Sequence, residues 1–253
     1  MIGSTPRSIR IAGFAALAAF VATSGLADAR LARVPTDSAG LVVIEATLPG
    51  EMALDCVDNP CTGSAMSPVV ASALEREQTV ARWFDRISAE VAGRSGGRQH
   101  ARLIAHGPVD RATVPADCKP IGLVIGNTAY PAGLRLEAPK LDAERVAARF
   151  QDLGIETTSL IDADLKTLKA GISAFLDGAP ENACLFVYYS GHGATVKGRR
   201  YLPAIDVNVG TPKTFADGSI DADELINRVG SVPGPSQIVL IDSHFPATYE
   251  GAR

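Results

Sequence analysis

The chain has 253 residues, a net charge of −4, and is 46 % hydrophobic and 21 % charged. That is the balance of an ordinary globular protein with one good core or two small ones. It excludes a general nucleic-acid binder, which would present a basic face, and the lack of repeats or a long heptad array excludes a fibrous protein.

Residues 1–29 read as a cleaved secretory signal. Arg7 and Arg10 form its positive start, residues 11–21 an alanine-rich apolar stretch, and Ala27-Asp28-Ala29 an A-x-A cleavage site. The apolar stretch falls short of the ~20 residues of a membrane span, which favours a cleaved signal over an uncleaved anchor. No later segment is apolar for long enough to span a bilayer, so the mature protein is expected to be secreted or periplasmic in a bacterium. Export makes disulfides available. Cys56, Cys61, Cys118 and Cys184 allow three pairings. Cys56 and Cys61 flank Asp58-Asn59-Pro60 and can close a small loop. Cys118 precedes one expected strand and Cys184 opens another. If those strands are parallel neighbours, the pairs are Cys56–Cys61 and Cys118–Cys184; the alternative is that Cys184 is a small buried apolar residue.

Residues 30–117 read as a separate N-terminal region. Residues 41–48 are a candidate strand. Ser67 as N-cap and Pro68 at the first helical position open a long helix. Val70, Ala73, Val80, Phe84, Ile87 and Val91 fall at helical spacing, with Glu77 interrupting and Trp83 and Phe84 as anchors, a pattern typical of a packing face. Gly93 to Gly97 ends the helix in a linker. His100 and His106 show no metal-ligand spacing.

From Cys118 strands and helices alternate. Residues 121–125 form a strand and 126–131 a loop. Residues 141–153 form a helix stopped by Gly154, and 155–161 a strand. A helix capped by Asp162 or Asp164 runs to about Gly178. Residues 185–189 are a strand, Arg200-Tyr201-Leu202-Pro203 lies in a short edge hairpin, 221–229 is a helix, and 237–241 is the last strand. This order predicts an α/β fold, a mostly parallel sheet with helices on both faces. Gly126 opens no Gly-x-Gly-x-x-Gly pattern, which disfavours a dinucleotide fold.

Two strand ends carry chemistry. Leu185-Phe186-Val187-Tyr188-Tyr189 runs into Ser190-Gly191-His192-Gly193, and glycines on both sides of a histidine stop a strand and permit close approach. Gln237-Ile238-Val239-Leu240-Ile241 runs into Asp242-Ser243-His244. If the two strands are parallel neighbours, both tips meet at the edge where open α/β sheets bind ligands.

These segments stand in one order with Val124-Ile125-Gly126-Asn127-Thr128-Ala129-Tyr130, Asp142-Ala143 and Ile220-Asp221-Ala222-Asp223-Glu224-Leu225. The set resembles the caspase-like cysteine peptidases, specifically the bacterial caspase-like and metacaspase branch, over about residues 119–245. The resemblance implies a caspase-like three-layer sandwich in residues 118–253 and a cysteine–histidine dyad with His192 as its histidine. It implies an oxyanion site at the Gly191 and Gly193 amides. It also implies a pocket of Asp142, Ser190 and Asp242 that takes arginine or lysine from a peptide or protein. Many metacaspases need calcium, for which Asp221, Asp223 and Glu224 are candidates here; the rival reading is a helix start biased acidic for its dipole.

The sequence departs from that pattern twice. His244 stands where the nucleophilic cysteine belongs, and no other cysteine is placed to replace it. Losing the nucleophile of such a unit costs about 10⁶-fold in rate. Nine residues follow His244, where the family continues with further strands and helices. The domain is therefore expected to be truncated at its C-terminal sheet edge, with one wall of the cleft missing. The expected function is a catalytically inactive caspase-like peptidase homologue that binds basic peptides. Two alternatives stay open: a hydrolase using Ser243, whose side chain should face away from the tip, and a metal site of His192, His244 and Asp242, a donor set that suits zinc.

Overall fold

The computed structural model describes residues 40–131 and 133–246. The expected signal at 1–29 and residues 247–253 lie outside them. In chain order the elements begin β1 (Leu41–Glu45), α1 (Ser67–Ala73), α2 (Val80–Arg94) and β2 (Arg102–Ala105). They continue with β3 (Lys119–Gly126), α3 (Ala138–Asp152), β4 (Glu156–Ile161), α4 (Leu165–Asp177) and β5 (Ala183–Ser190). The last are β6 (Ala194–Val196), β7 (Arg199–Pro203), α5 (Pro212–Asp217), β8 (Ser219–Asp221), α6 (Ala222–Gly230) and β9 (Ser236–Asp242).

One sheet runs in the order β2-β1-β9-β5-β3-β4. All its pairings are parallel except that of β2, which lies antiparallel on β1. Side chains alternate across it. Val42, Ile44, Val124, Phe186, Tyr188, Ile238 and Leu240 share one core with α1, α2 and α3. Leu41, Val43, Leu123, Leu185, Val187, Tyr189, Val239 and Ile241 share the other with α4 and α6. The result is the expected three-layer α/β sandwich. The hairpin around Arg200 is not part of this sheet: β6, β7 and β8 form a small antiparallel sheet of their own.

The N-terminal region does not stand apart. β1 pairs with β9 from Leu41 against Gln237 to Glu45 against Ile241. The position beside β9, expected to be vacant, is thus filled by β1 and β2. The physical reason lies in β1 itself, whose five residues are all buried and need cover on both faces. The long N-terminal helix is broken in two. Leu74 turns to extended backbone after α1, Thr79 bridges to Ala112, and the Thr79 hydroxyl accepts from the Arg82 amide to cap α2. Ser67 is not the N-cap; Met66 holds that position.

Both expected disulfides are present, Cys56–Cys61 and Cys118–Cys184. The second joins the starts of neighbouring strands, with Cys184 opposite Pro120 in the register of β5 on β3. α3 begins at Ala138, earlier than its apolar stripe suggests, because Asp55 from the Cys56–Cys61 loop caps it. The Asp55 carboxylate accepts from the Glu137 amide at 2.8 Å and the Ala138 amide at 3.0 Å.

α3 lies directly on the end of β3. A Cβ on Gly126 would sit 2.5 Å from the Pro139 carbonyl oxygen and 2.6 Å from the Ala143 Cβ. Gly126→Ala is expected to destabilise the protein by about 1–3 kcal/mol, the usual cost of overpacking, as measured by denaturant unfolding. An unchanged midpoint would mean that α3 slides away freely.

Candidate active site

The register levels three strand ends. Gly126 lies opposite Ser190, and Ser190 opposite Asp242. By alternation Ser190 and Asp242 face the same side as Tyr188 and Leu240, toward α1 and α3. Asp142 enters from the second turn of α3, and Ser64 and Ser67 from the start of α1. The expected trio of Asp142, Ser190 and Asp242 therefore converges.

The two carboxylates are 1 % and 4 % exposed and satisfied from within. Asp142 accepts from the Ser64 amide at 3.0 Å, from the Ser190 hydroxyl at 3.2 Å and from the Ser67 hydroxyl. Asp242 accepts from the Ser64 hydroxyl at 2.5 Å and the Tyr188 hydroxyl at 2.9 Å. Arg145 lies 3.6 Å from Asp142. Burial raises both acids, and the charge of Asp142 helps push Asp242 up to about 7. The Tyr188 hydroxyl is held well above its ordinary value by burial and then by the two carboxylates.

The other half of the site is the His192 turn. The Tyr130 hydroxyl accepts from the His192 amide at 3.1 Å, and the Tyr189 hydroxyl donates to the His192 carbonyl at 2.8 Å. A Cβ on Gly191 would lie 2.6 Å from one of these hydroxyls and 2.7 Å from the other, so only glycine admits both tyrosines. His192 Nε2 lies 2.6 Å from the Leu134 carbonyl. A carbonyl only accepts, so Nε2 carries the proton and Nδ1 is the basic nitrogen of the neutral ring. Burial lowers the His192 pKa, against the Leu134 bond and the charge of Asp55.

The two tips touch. A Cβ on Gly193 would lie 2.5 Å from the His244 carbonyl and 2.7 Å from the Ser243 Oγ. His244 is held below its ordinary pKa by burial and by the neighbouring His192. Ser243 is 2 % exposed and its Oγ contacts the His244 carbonyl at 3.5 Å, an unfavourable place for a nucleophile. Asp242, His192 and His244 do not gather as metal ligands. Among the described residues, ligand-type groups come within 4.8 Å of one another at Cys56, Cys61 and Glu137, where the two sulfurs are bonded to each other.

The expected calcium candidates lie elsewhere, and two of them, Asp221 and Asp223, are matched by arginines. Asp221 pairs with Arg199 at 2.5 Å and caps α6 through the Glu224 amide at 3.0 Å. Asp223 pairs with Arg200, which also pairs with Glu45 of β1 and lies over the Phe245 ring at 5.0 Å. Asp221, Asp223 and Glu224 line a cleft of about 660 Å³ between α4 and α6 that none of the strand-tip residues enters.

Sequence reasoning missed Ser64, Ser67, Arg145 and Leu134. Small polar residues in a loop carry no local signal, and Leu134 contributes only its backbone. The model of the caspase domain matches residues 119–245, half of the chain. No curated protein matches the chain. Among matching solved structures is that of a Geobacter sulfurreducens protein, 24 % identical over 49 % of this chain and 50 % of its own, with a TM-score of 0.37. This chain therefore spans about half that protein's length, and the overlap is too slight to bear on the fold. The α/β sandwich, the levelled strand tips and the family match agree: the chain belongs to the caspase domain family.

Proposed function

We propose that this protein is a caspase-domain peptidase homologue that has lost hydrolysis and binds peptides through a basic side chain. One observation carries the reading. All four cysteines are joined in two disulfides and none is free, while an imidazole occupies the β9 tip where the family's thiolate acts. A neutral imidazole beside a second one offers no equivalent nucleophile for an amide. The paired carboxylates of Asp142 on α3 and Asp242 on β9, with Ser190 bonded to the first and opposite the second, support a basic partner, because a guanidinium matches carboxylates in both charge and geometry. Two disulfides, with no described helix long and apolar enough to cross a membrane, fit an oxidising, exported setting.

The test is turnover of fluorogenic peptides ending in arginine or lysine, with and without calcium, by the wild type and by His192→Ala. No hydrolysis is expected from either protein. Turnover in the wild type that disappears in His192→Ala would overturn the reading.

A further inference from the structure

Asp142 and Asp242 are too deeply covered for a basic side chain to reach them unless something moves. Residues 62–64 form the cover. Ser64 bonds both acids, through its amide to Asp142 and its hydroxyl to Asp242. Arg145 holds this strap from α3: one guanidinium nitrogen donates to the Thr62 carbonyl at 2.5 Å and the other to the Ser67 hydroxyl at 3.0 Å. The same side chain lies 3.6 Å from Asp142 and is 33 % exposed. On one side the strap leads into Ala65 and Met66, both fully buried. On the other it leads into the half-exposed Cys56–Cys61 loop, with Thr62 itself exposed. Opening it breaks the Ser64 bonds to both acids, the bonds that the Ser64 hydroxyl accepts from the Met66 and Ser67 amides at 3.2 and 3.0 Å and the one that the Gly63 carbonyl accepts from the Val57 amide at 3.4 Å, with Met66 as the core anchor about which it turns.

We infer that residues 62–64 are a displaceable strap over the acidic pair and that Arg145 is its latch. Ser64 and Arg145 then set how tightly a guanidinium or amidinium group binds. The inference rests on the proposed reading of Asp142 and Asp242 as the basic-side-chain pocket. Arg145 acts twice. It ties down the strap, and it supplies from within the positive charge that an incoming cation would bring, so the two compete for Asp142. Neither Ser64 nor Thr62 lies in the half of the chain that matches the caspase domain model, so this gate comes from the N-terminal region.

The experiment is calorimetric binding of benzamidine to the wild type, Arg145→Ala, Gly63→Ala and Asp242→Asn, with amide hydrogen exchange read at Ser64. Thermal unfolding confirms that each variant is folded. Arg145→Ala is expected to bind benzamidine at least about tenfold tighter, the loss of one competing ion pair at a buried site, and to exchange the Ser64 amide faster. Gly63→Ala opens the strap from its other side and keeps the arginine. A Cβ there would lie 2.5 Å from the Arg145 Nη1 and 2.7 Å from the Asp142 Oδ1, so the same tightening is expected. Asp242→Asn is expected to weaken binding. Unchanged Ser64 exchange in Arg145→Ala overturns the latch, as does faster exchange when the wild type and Arg145→Ala both bind benzamidine and bind it equally. Faster exchange with no benzamidine bound by any variant instead overturns the pocket on which the latch acts.

Discussion

His244→Cys is expected to give the protein a reactive thiol and, with it, hydrolysis of arginine-ended peptides. The geometry is prepared for it. β9 delivers residue 244 to the tip that touches the His192 turn at Gly193. His192 keeps its Nε2 proton on the Leu134 carbonyl, leaving Nδ1 to take the proton of an attacking thiol. The Gly191 and Gly193 amides are proposed to receive the developing oxyanion. Since the native cysteines are all bonded, iodoacetamide reports on the new thiol alone. Its alkylation at pH 7 should exceed that of His244→Cys combined with His192→Ala by about tenfold, as an imidazole partner lowers a thiol from its ordinary value near 8.5. Peptide hydrolysis should rise at least ~10³-fold over the wild type, a part of what losing a nucleophile typically costs. Equal alkylation with and without His192, and no hydrolysis, would mean that the tips do not cooperate.

The acid pair predicts a pH signature of stability. The folded Asp242 titrates at about 7, raised by burial and then by the Asp142 charge, from an ordinary value of 3.8. Over that window the folded state holds a proton that the unfolded state has released, so folding is favoured below it and loses this stability as pH rises through about 7. The ceiling is about 4 kcal/mol, since each tenfold change in proton affinity is worth about 1.4 kcal/mol. His192 and His244, both lowered, act in the opposite sense: they cost stability as pH falls through their ordinary range. The difference between the wild type and Asp242→Asn isolates the carboxylate. An asparagine oxygen still accepts from Ser64 and Tyr188 but has no charge to lose. Denaturant unfolding from pH 4 to 8 should show the wild type losing ground to Asp242→Asn as pH rises. Parallel stability curves would show that the buried pair is neutralised in another way.

What was legible in the sequence followed from local rules. The uninterrupted apolar runs of β5 and β9 announced buried strands, and their polar ends announced the site. Asp162 or Asp164 announced a helix start, and the structure makes Asp164 the N-cap; Asp221, read as the start of the last helix, is its N-cap. The Cys118–Cys184 bond followed from two strand starts being neighbours. Partners set by the tertiary fold were not legible. Leu41-Val42-Val43-Ile44-Glu45 reads as a buried strand, yet nothing in it says that its neighbour lies almost two hundred residues away. β2, with four residues, is too short to show a period. The break between α1 and α2 reflects backbone pairing of residues 76–81 with residues 109–114, which outweighs a continuous helical stripe. Ser64 and Arg145 gain meaning only once α1 is laid against α3.

The seat of β9 also governs the order in which the molecule can be made. β9 lies between β1 and β5, so the hydrogen-bond ladders of the sheet's two halves meet only through it. During synthesis β1 and β2 emerge first, then β3, β4 and β5, and each group leaves a row of unpaired backbone until β9 follows. Closing the ladder brings together residues as far apart as Leu41 and Gln237, a long-range step of the kind that slows folding. A nascent chain of this protein carries two open sheet edges until residues 236–242 have been translated. Holding it unfolded until then removes the chance of edge-to-edge association.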